Sequence, residues 1–169
     1  MTARNANTRA SAENTEAAKI ATPNDHEIVI TRFFDARRAR VFAAWTQAEH
    51  VAHWWDPSGA PLAICEIDLR PNGAFRWVHR AAHDEGHAFA GVYLEIAAPE
   101  RLVFAVDMFA SRPAPIATLV FAEEGNRTKL TIVMACETKE DRDALLQMRV
   151  DSGTAQTLEN LAAYLPGIA

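Results

Sequence analysis

At 169 residues and a formal charge of -5, the chain is long enough for one self-sufficient core and too acidic to offer the basic footprint that nucleic-acid phosphates demand. Its two cysteines, Cys65 and Cys136, each sit in an apolar strand pattern and read as buried free thiols, which fits a reducing compartment. No apolar run approaches the roughly eighteen residues of a membrane span, and the start of the chain lacks a signal-peptide core, so a cytoplasmic protein is expected.

Residues 1–25 hold one large aliphatic side chain after Met1, Ile20, and no aromatic. Such a segment buries too little to offset its ordering entropy and reads as a flexible arm, followed by a single domain over 26–166. The first strand spans Glu27 to Phe34. Asp35 is the expected N-cap of a helix over 36–45, on which Val41, Phe42 and Trp45 share a face. Thr46 and Glu49 have the spacing of a capping box and open a second, short helix. Asp56-Pro57 stops it, because the residue before proline is driven out of the α region. Val51 and Trp55 lie one turn apart on that helix, which predicts Trp55 in the core and Trp54 nearer a rim.

Six strand-like segments follow, at 62–70, 74–82, 87–97, 101–109, 116–122 and 127–137, separated by turn signals at hairpin spacing. In Arg70-Pro71-Asn72-Gly73 the proline presets φ and the glycine takes the positive φ. Asp84-Glu85-Gly86 and Glu124-Gly125-Asn126 mark later hairpins. The last element reads as one helix over 139–164, capped by Thr138 with Asp141 and ended by Pro166-Gly167. Roughly 26 residues make it about 39 Å long. Leu145, Met148, Ser152, Ala155, Leu158 or Thr157, Leu161, Ala162 and Leu165 form its mostly apolar stripe. The layout is α+β: an antiparallel sheet of about seven strands wrapped around a long C-terminal helix, with two short helices after the first strand.

Strand alternation shows which side chains face that helix. Phe75, Trp77 and His79 share the inner face of one strand, with Arg76 and Arg80 outside. Leu102, Phe104, Val106 and Met108 share another, and Leu130, Ile132, Met134 and Cys136 a third. Aromatic and Met-rich walls with few polar groups are the composition of a ligand pocket as well as of a plain core. His79 is the inner-face residue able to orient a polar group. His79, His83 and His87 with Asp84 and Glu85 fall around a hairpin tip, where their spacing does not make a designed metal site. No cofactor is expected. Nucleophile-elbow and phosphate-loop motifs are absent.

Phe33-Phe34-Asp35-Ala36, Val41-Phe42-Ala43-Ala44-Trp45-Thr46 and Trp54-Trp55-Asp56-Pro57 resemble the opening of a known family. Asp68-Leu69-Arg70-Pro71-Asn72-Gly73, Gly91-Val92-Tyr93-Leu94-Glu95-Ile96 and Pro99-Glu100-Arg101-Leu102-Val103 resemble its middle. That family is the heat-shock-protein-90 ATPase activator-like domains of the START-like (SRPBCC, helix-grip) superfamily, and the likeness runs from about Ile28 to Leu165. The resemblance implies a helix-grip fold with a cavity between sheet and C-terminal helix. The expected function is binding of a small hydrophobic or amphipathic molecule there, with Trp54, Trp55, Phe75, Trp77, His79, Phe104, Met108 and Met134 along or beside the cavity. A co-chaperone-like module that binds a chaperone or other protein is the alternative. A cyclase- or hydrolase-type enzyme ranks third, since no catalytic constellation is named. The family commonly carries Gly-Trp where this chain has Gly153-Thr154, a departure that removes a large side chain.

Overall fold

The computed structural model describes residues 17–80, 88–109 and 113–168. Its strands are β1 (Lys19–Ala21), β2 (Glu27–Phe34), β3 (Ile64–Ile67), β4 (Ala74–Val78), β5 (Phe89–Ala97), β6 (Arg101–Val106), β7 (Ile116–Glu124) and β8 (Arg127–Ala135). All pair antiparallel in one curved, open sheet ordered β1-β2-β8-β7-β6-β5-β4-β3. Strands β3 to β8 are a meander whose last strand returns to lie beside β2. Helices α1 (Arg38–Thr46) and α2 (Ala48–Trp54) bridge β2 to β3, while α3 (Lys139–Gln147) and α4 (Val150–Tyr164) close the chain, with a 3-10 turn at Leu165–Gly167.

The sheet has eight strands rather than about seven, because β1 lies within the segment expected to be an arm. Lys19, Ile20 and Ala21 pair with Thr31, Ile30 and Val29 through the backbone while their side chains stay exposed. Apolar content therefore gives no sign of this strand. The first sixteen residues of that expected arm lie outside the described residues.

The core follows from period-two patterning. β2 buries Ile28, Ile30, Arg32 and Phe34, and β8 buries Thr128, Leu130, Ile132 and Met134. Arg32 is the charged exception at 6% exposure. Its Nε and Nη2 reach Glu159 Oε1 and Oε2 on α4 at 3.0 and 3.2 Å, and its guanidinium lies 5.3 Å from the Phe34 ring. A two-point clamp of this kind satisfies a buried guanidinium and fixes α4 against β2.

Local signals resolve unevenly. Thr138 caps α3 as expected, its Oγ1 accepting from Asp141 N at 3.1 Å. Neither of the other expected caps forms. α1 starts after Arg37 without a side-chain cap, and Thr46 donates its hydroxyl to Phe42 O at 2.8 Å, a back-bond within α1 that removes it from the capping box. In the turn after β3 the positive φ falls on Asn72 (67°), not on Gly73. Gly73 is needed for close approach: a Cβ there would sit 2.0 Å from Asp68 O.

The expected single C-terminal helix is broken. Arg149 adopts a left-handed conformation (φ 58°, ψ 35°) and serves as the N-cap of α4. That conformation costs a non-glycine residue roughly 1–2 kcal/mol, and no Gly, Pro or Asn advertises it. The break lets α3 bury Leu145 while α4 turns to bury Thr157, Leu158 and Leu161. It also leaves Met148, expected in the stripe, 54% exposed. α4 is thus fifteen residues, about 22 Å, and packs mainly on β2 and α2. Over β4, β5 and the end of β6 its first turns stand off the sheet.

Candidate functional site

The stand-off is a pocket of about 200 Å³. Trp55, Pro57, His79, Phe89 and Met108 wall it on the sheet side, and Val150, Gly153, Thr154 and Thr157 wall it on α4. Trp55 caps α2 and lays its ring 4.6 Å from Trp77 and 4.8 Å from Phe89. Phe89 and Trp77 are cross-strand partners on β5 and β4, their rings stacked at 5.4 Å. A Cβ at Gly91 would lie within 2.9 Å of the Phe75 ring, so a glycine lets that ring cross β5. Phe75 thereby joins Trp77 (5.1 Å), Tyr93 (5.2 Å) and Phe104 (5.2 Å) in a continuous aromatic layer.

Of the residues expected at the cavity, Trp55, His79 and Met108 line it. Trp77 stands directly behind Trp55 and Phe89, with Phe75 beside it and Phe104 a layer further in. Met134 faces the core from β8, between Ile28 and Ala117. Trp54 is away from the pocket, and here the expectation is reversed. Trp54 is fully buried, donates Nε1–H to Ala44 O at 3.0 Å and meets Trp45 edge-on at 4.8 Å; Trp55 is the half-buried ring at the pocket. Val51 has neighbours at both i+3 and i+4, so helical spacing alone does not choose between the two indoles. The choice is made by α1, which offers Trp54 a carbonyl and a ring face.

His79 follows β4 and continues its inward alternation. Its Nδ1 is buried 3.3 Å from Asp56 Oδ2, bent away from hydrogen-bond alignment, while the side chain as a whole is 31% exposed. Asp56 itself is held by the turn that stops α2. Its Oδ1 accepts from Ser58 N (2.9 Å) and Ser58 Oγ (2.8 Å), and Asn160 of α4 donates to the Asp56 carbonyl at 2.8 Å. Burial pushes the Asp56 carboxyl up, but the two Ser58 hydrogen bonds and the nearby His79 outweigh it and hold the group below its ordinary value. Asp56 was legible only as a helix stop; its contact with His79 spans residues distant in sequence.

A pH effect follows. A carboxyl whose pKa is lower folded than unfolded adds stability above its unfolded value of about 3.9, and that stability is lost as the pH falls through the folded pKa. Asp56→Asn is therefore expected to destabilise most near neutrality, the gap to wild type closing below about pH 4. Urea melts across that range check it; a gap that widens in acid contradicts the assignment.

Other candidate chemistry is quiet. Cys65 and Cys136 are free, and burial raises both thiols to about 11, so neither is a ready nucleophile. Of the expected histidine-rich hairpin tip, His83, Asp84, Glu85 and His87 lie outside the described residues, and among the described residues no cluster of three metal-ligating side chains occurs. No helix among them is long and apolar enough to cross a membrane. A larger hollow of about 530 Å³ lies on the outer face of the sheet, over the small side chains Ala74, Ala90 and Ala105 and flanked by Glu66, Arg76 and Asp107.

An open antiparallel sheet curved about a C-terminal helix is the helix-grip fold. The chain belongs to the family described as activator of Hsp90 ATPase homolog 1-like protein, whose profile matches residues 35–166. Solved structures share the architecture. A Rhodobacter sphaeroides protein is similar with a TM-score of 0.78 at 19% identity, covering 90% of this chain and 99% of its own. A Nitrosomonas europaea protein gives 0.74 at 22% identity (86% and 97% covered), and a Chromobacterium violaceum protein 0.68 at 28% identity (84% and 98%). No curated protein matches the chain.

Proposed function

We propose that the protein binds a compact apolar or amphipathic small molecule between β4–β6 and α4. The observation that supports this reading is the pocket of about 200 Å³, walled by Trp55, Phe89 and Met108 and carrying one imidazole. Mostly apolar walls with a few polar groups, here His79, Thr154 and Thr157, are what small-molecule sites use. Volume sets the ligand class. An apolar cavity near 150 Å³ accommodates benzene, so about one ring or a short branched chain fits this one. The free thiols, Cys136 buried and Cys65 half-buried, are consistent with a cytoplasmic setting.

The family description suggests a chaperone-partner role, and exposed Val92, Leu94 and Val120 lie on the sheet. A few exposed apolar residues are ordinary on any sheet surface, so small-molecule binding ranks first. Titration of labelled protein with toluene, followed by NMR, tests it. Saturable shifts confined to Trp55, Phe89, Met108 and the first turns of α4 are expected. Shifts on the outer face instead, or none, overturn the reading.

A further inference from the structure

Resting on that pocket reading, the site's polar chemistry narrows the ligand further. We propose that the bound molecule is a ring bearing a hydroxyl group, which donates its hydrogen bond to His79 Nε2, and that Asp56 is the positioning residue that leaves this nitrogen unprotonated. A neutral imidazole carries its proton on one nitrogen and offers the other as an acceptor, and the partner of one nitrogen decides the role of the other. Nδ1 is buried 3.3 Å from a carboxylate oxygen, a place where only a protonated nitrogen is favourable. Asp56 Oδ1 is already occupied by the Ser58 N–H and hydroxyl, so Oδ2 is the oxygen free to face the ring. Nε2, on the far edge of a ring that contributes to the pocket wall, is then an acceptor.

The surroundings select among molecules that approach it. The described lining holds no lysine or arginine, and His79 is its sole ionisable side chain. A carboxylate entering would be desolvated without a cation and would place a second negative charge across the imidazole from Asp56. A purely apolar ring would fill the space without pairing Nε2, and gains nothing from the one imidazole of a side chain that is 31% exposed. A hydroxyl on a flat ring satisfies that acceptor while the ring packs against Trp55 and Phe89, so phenol is the minimal probe.

Isothermal titration of the full chain with phenol, toluene and benzoate decides it. In the wild type phenol is expected to bind at least as tightly as toluene, and benzoate at least tenfold more weakly than phenol. The phenol-to-toluene affinity ratio should fall about three- to tenfold in His79→Leu, the span expected of one hydrogen bond. It should fall in Asp56→Asn as well, a change that preserves the Ser58 turn. A merely structural Asp56 would not alter the His79 tautomer, so ¹⁵N shifts of the imidazole give a second reading: Nδ1–H in the wild type, lost as the dominant form in Asp56→Asn. Toluene binding with phenol tenfold weaker, a ratio unmoved in His79→Leu, or benzoate binding tighter than phenol each overturns the hydroxyl assignment while sparing the pocket. If neither toluene nor phenol binds, the pocket reading itself fails and takes this inference with it.

Discussion

Trp54→Ala is expected to cost roughly 3–5 kcal/mol of unfolding free energy, the range for deleting a large aromatic from a packed interior. At about 2–4 °C per kcal/mol for a chain of this size, the midpoint should drop by roughly 6–20 °C. Trp54 has no exposed surface, fills the space against Trp45 and ties α2 to α1 through the Ala44 carbonyl, so truncation leaves a void and an orphaned acceptor together. Trp55→Ala should cost clearly less, because that ring is only half-buried and much of its contact is with the pocket wall. Binding should sort the other way: toluene affinity falls sharply in Trp55→Ala, while Trp54→Ala, examined well below its midpoint, changes it little. Equal stability losses, or the reverse order, would contradict the packing assigned to the pair. The comparison is informative because the indoles are adjacent in sequence and share a helix end, so generic helix effects cancel.

What the sequence made legible, and what it did not, divides along the range of the interactions involved. β2 and β8 were readable because strict alternation over eight or nine residues has no other economical burial. The Thr138 cap was readable because its partner is three residues away. The Thr46 cap was misread for the same locality: the hydroxyl had a second acceptor, Phe42 O, equally close in the opposite direction. The break at Arg149 escaped because tertiary packing imposes it on residues with ordinary helix propensity, which periodicity does not register. At the site, inward alternation placed His79 and Met108, and Gly153-Thr154 stood out as a departure from the family pattern, yet Phe89, Val150 and Thr157 were not singled out for the cavity because they depend on where a helix sits over a sheet. The pairing of Asp56 with His79 was the least accessible of all. Each residue had a sufficient local explanation, a helix stop and a strand position, and the chemistry lies in the 3.3 Å between them.

Gly153 offers the second large effect, and it separates stability from binding at one position. It lies in the first turns of α4 on the pocket wall, and a Cβ added there would meet no heavy atom within 4 Å. Its backbone is helical with no positive φ, so nothing local requires a glycine. Gly153→Ala should therefore stabilise the protein by up to about 1 kcal/mol, the helix-propensity difference between the two residues. Gly153→Leu keeps most of that gain and sends an isobutyl group toward a space of only about 200 Å³. Binding of a ring-sized probe should fall at least tenfold, with thermal stability equal to or above wild type. The dissociation matters because most substitutions that abolish binding also loosen the fold, and this one should tighten it. Were Gly153→Leu to bind toluene as the wild type does, the ligand would have to sit elsewhere. Were Gly153→Ala to destabilise by more than about 1 kcal/mol, the space beside α4 would be smaller than its walls indicate, since only crowding reverses the usual advantage of alanine in a helix.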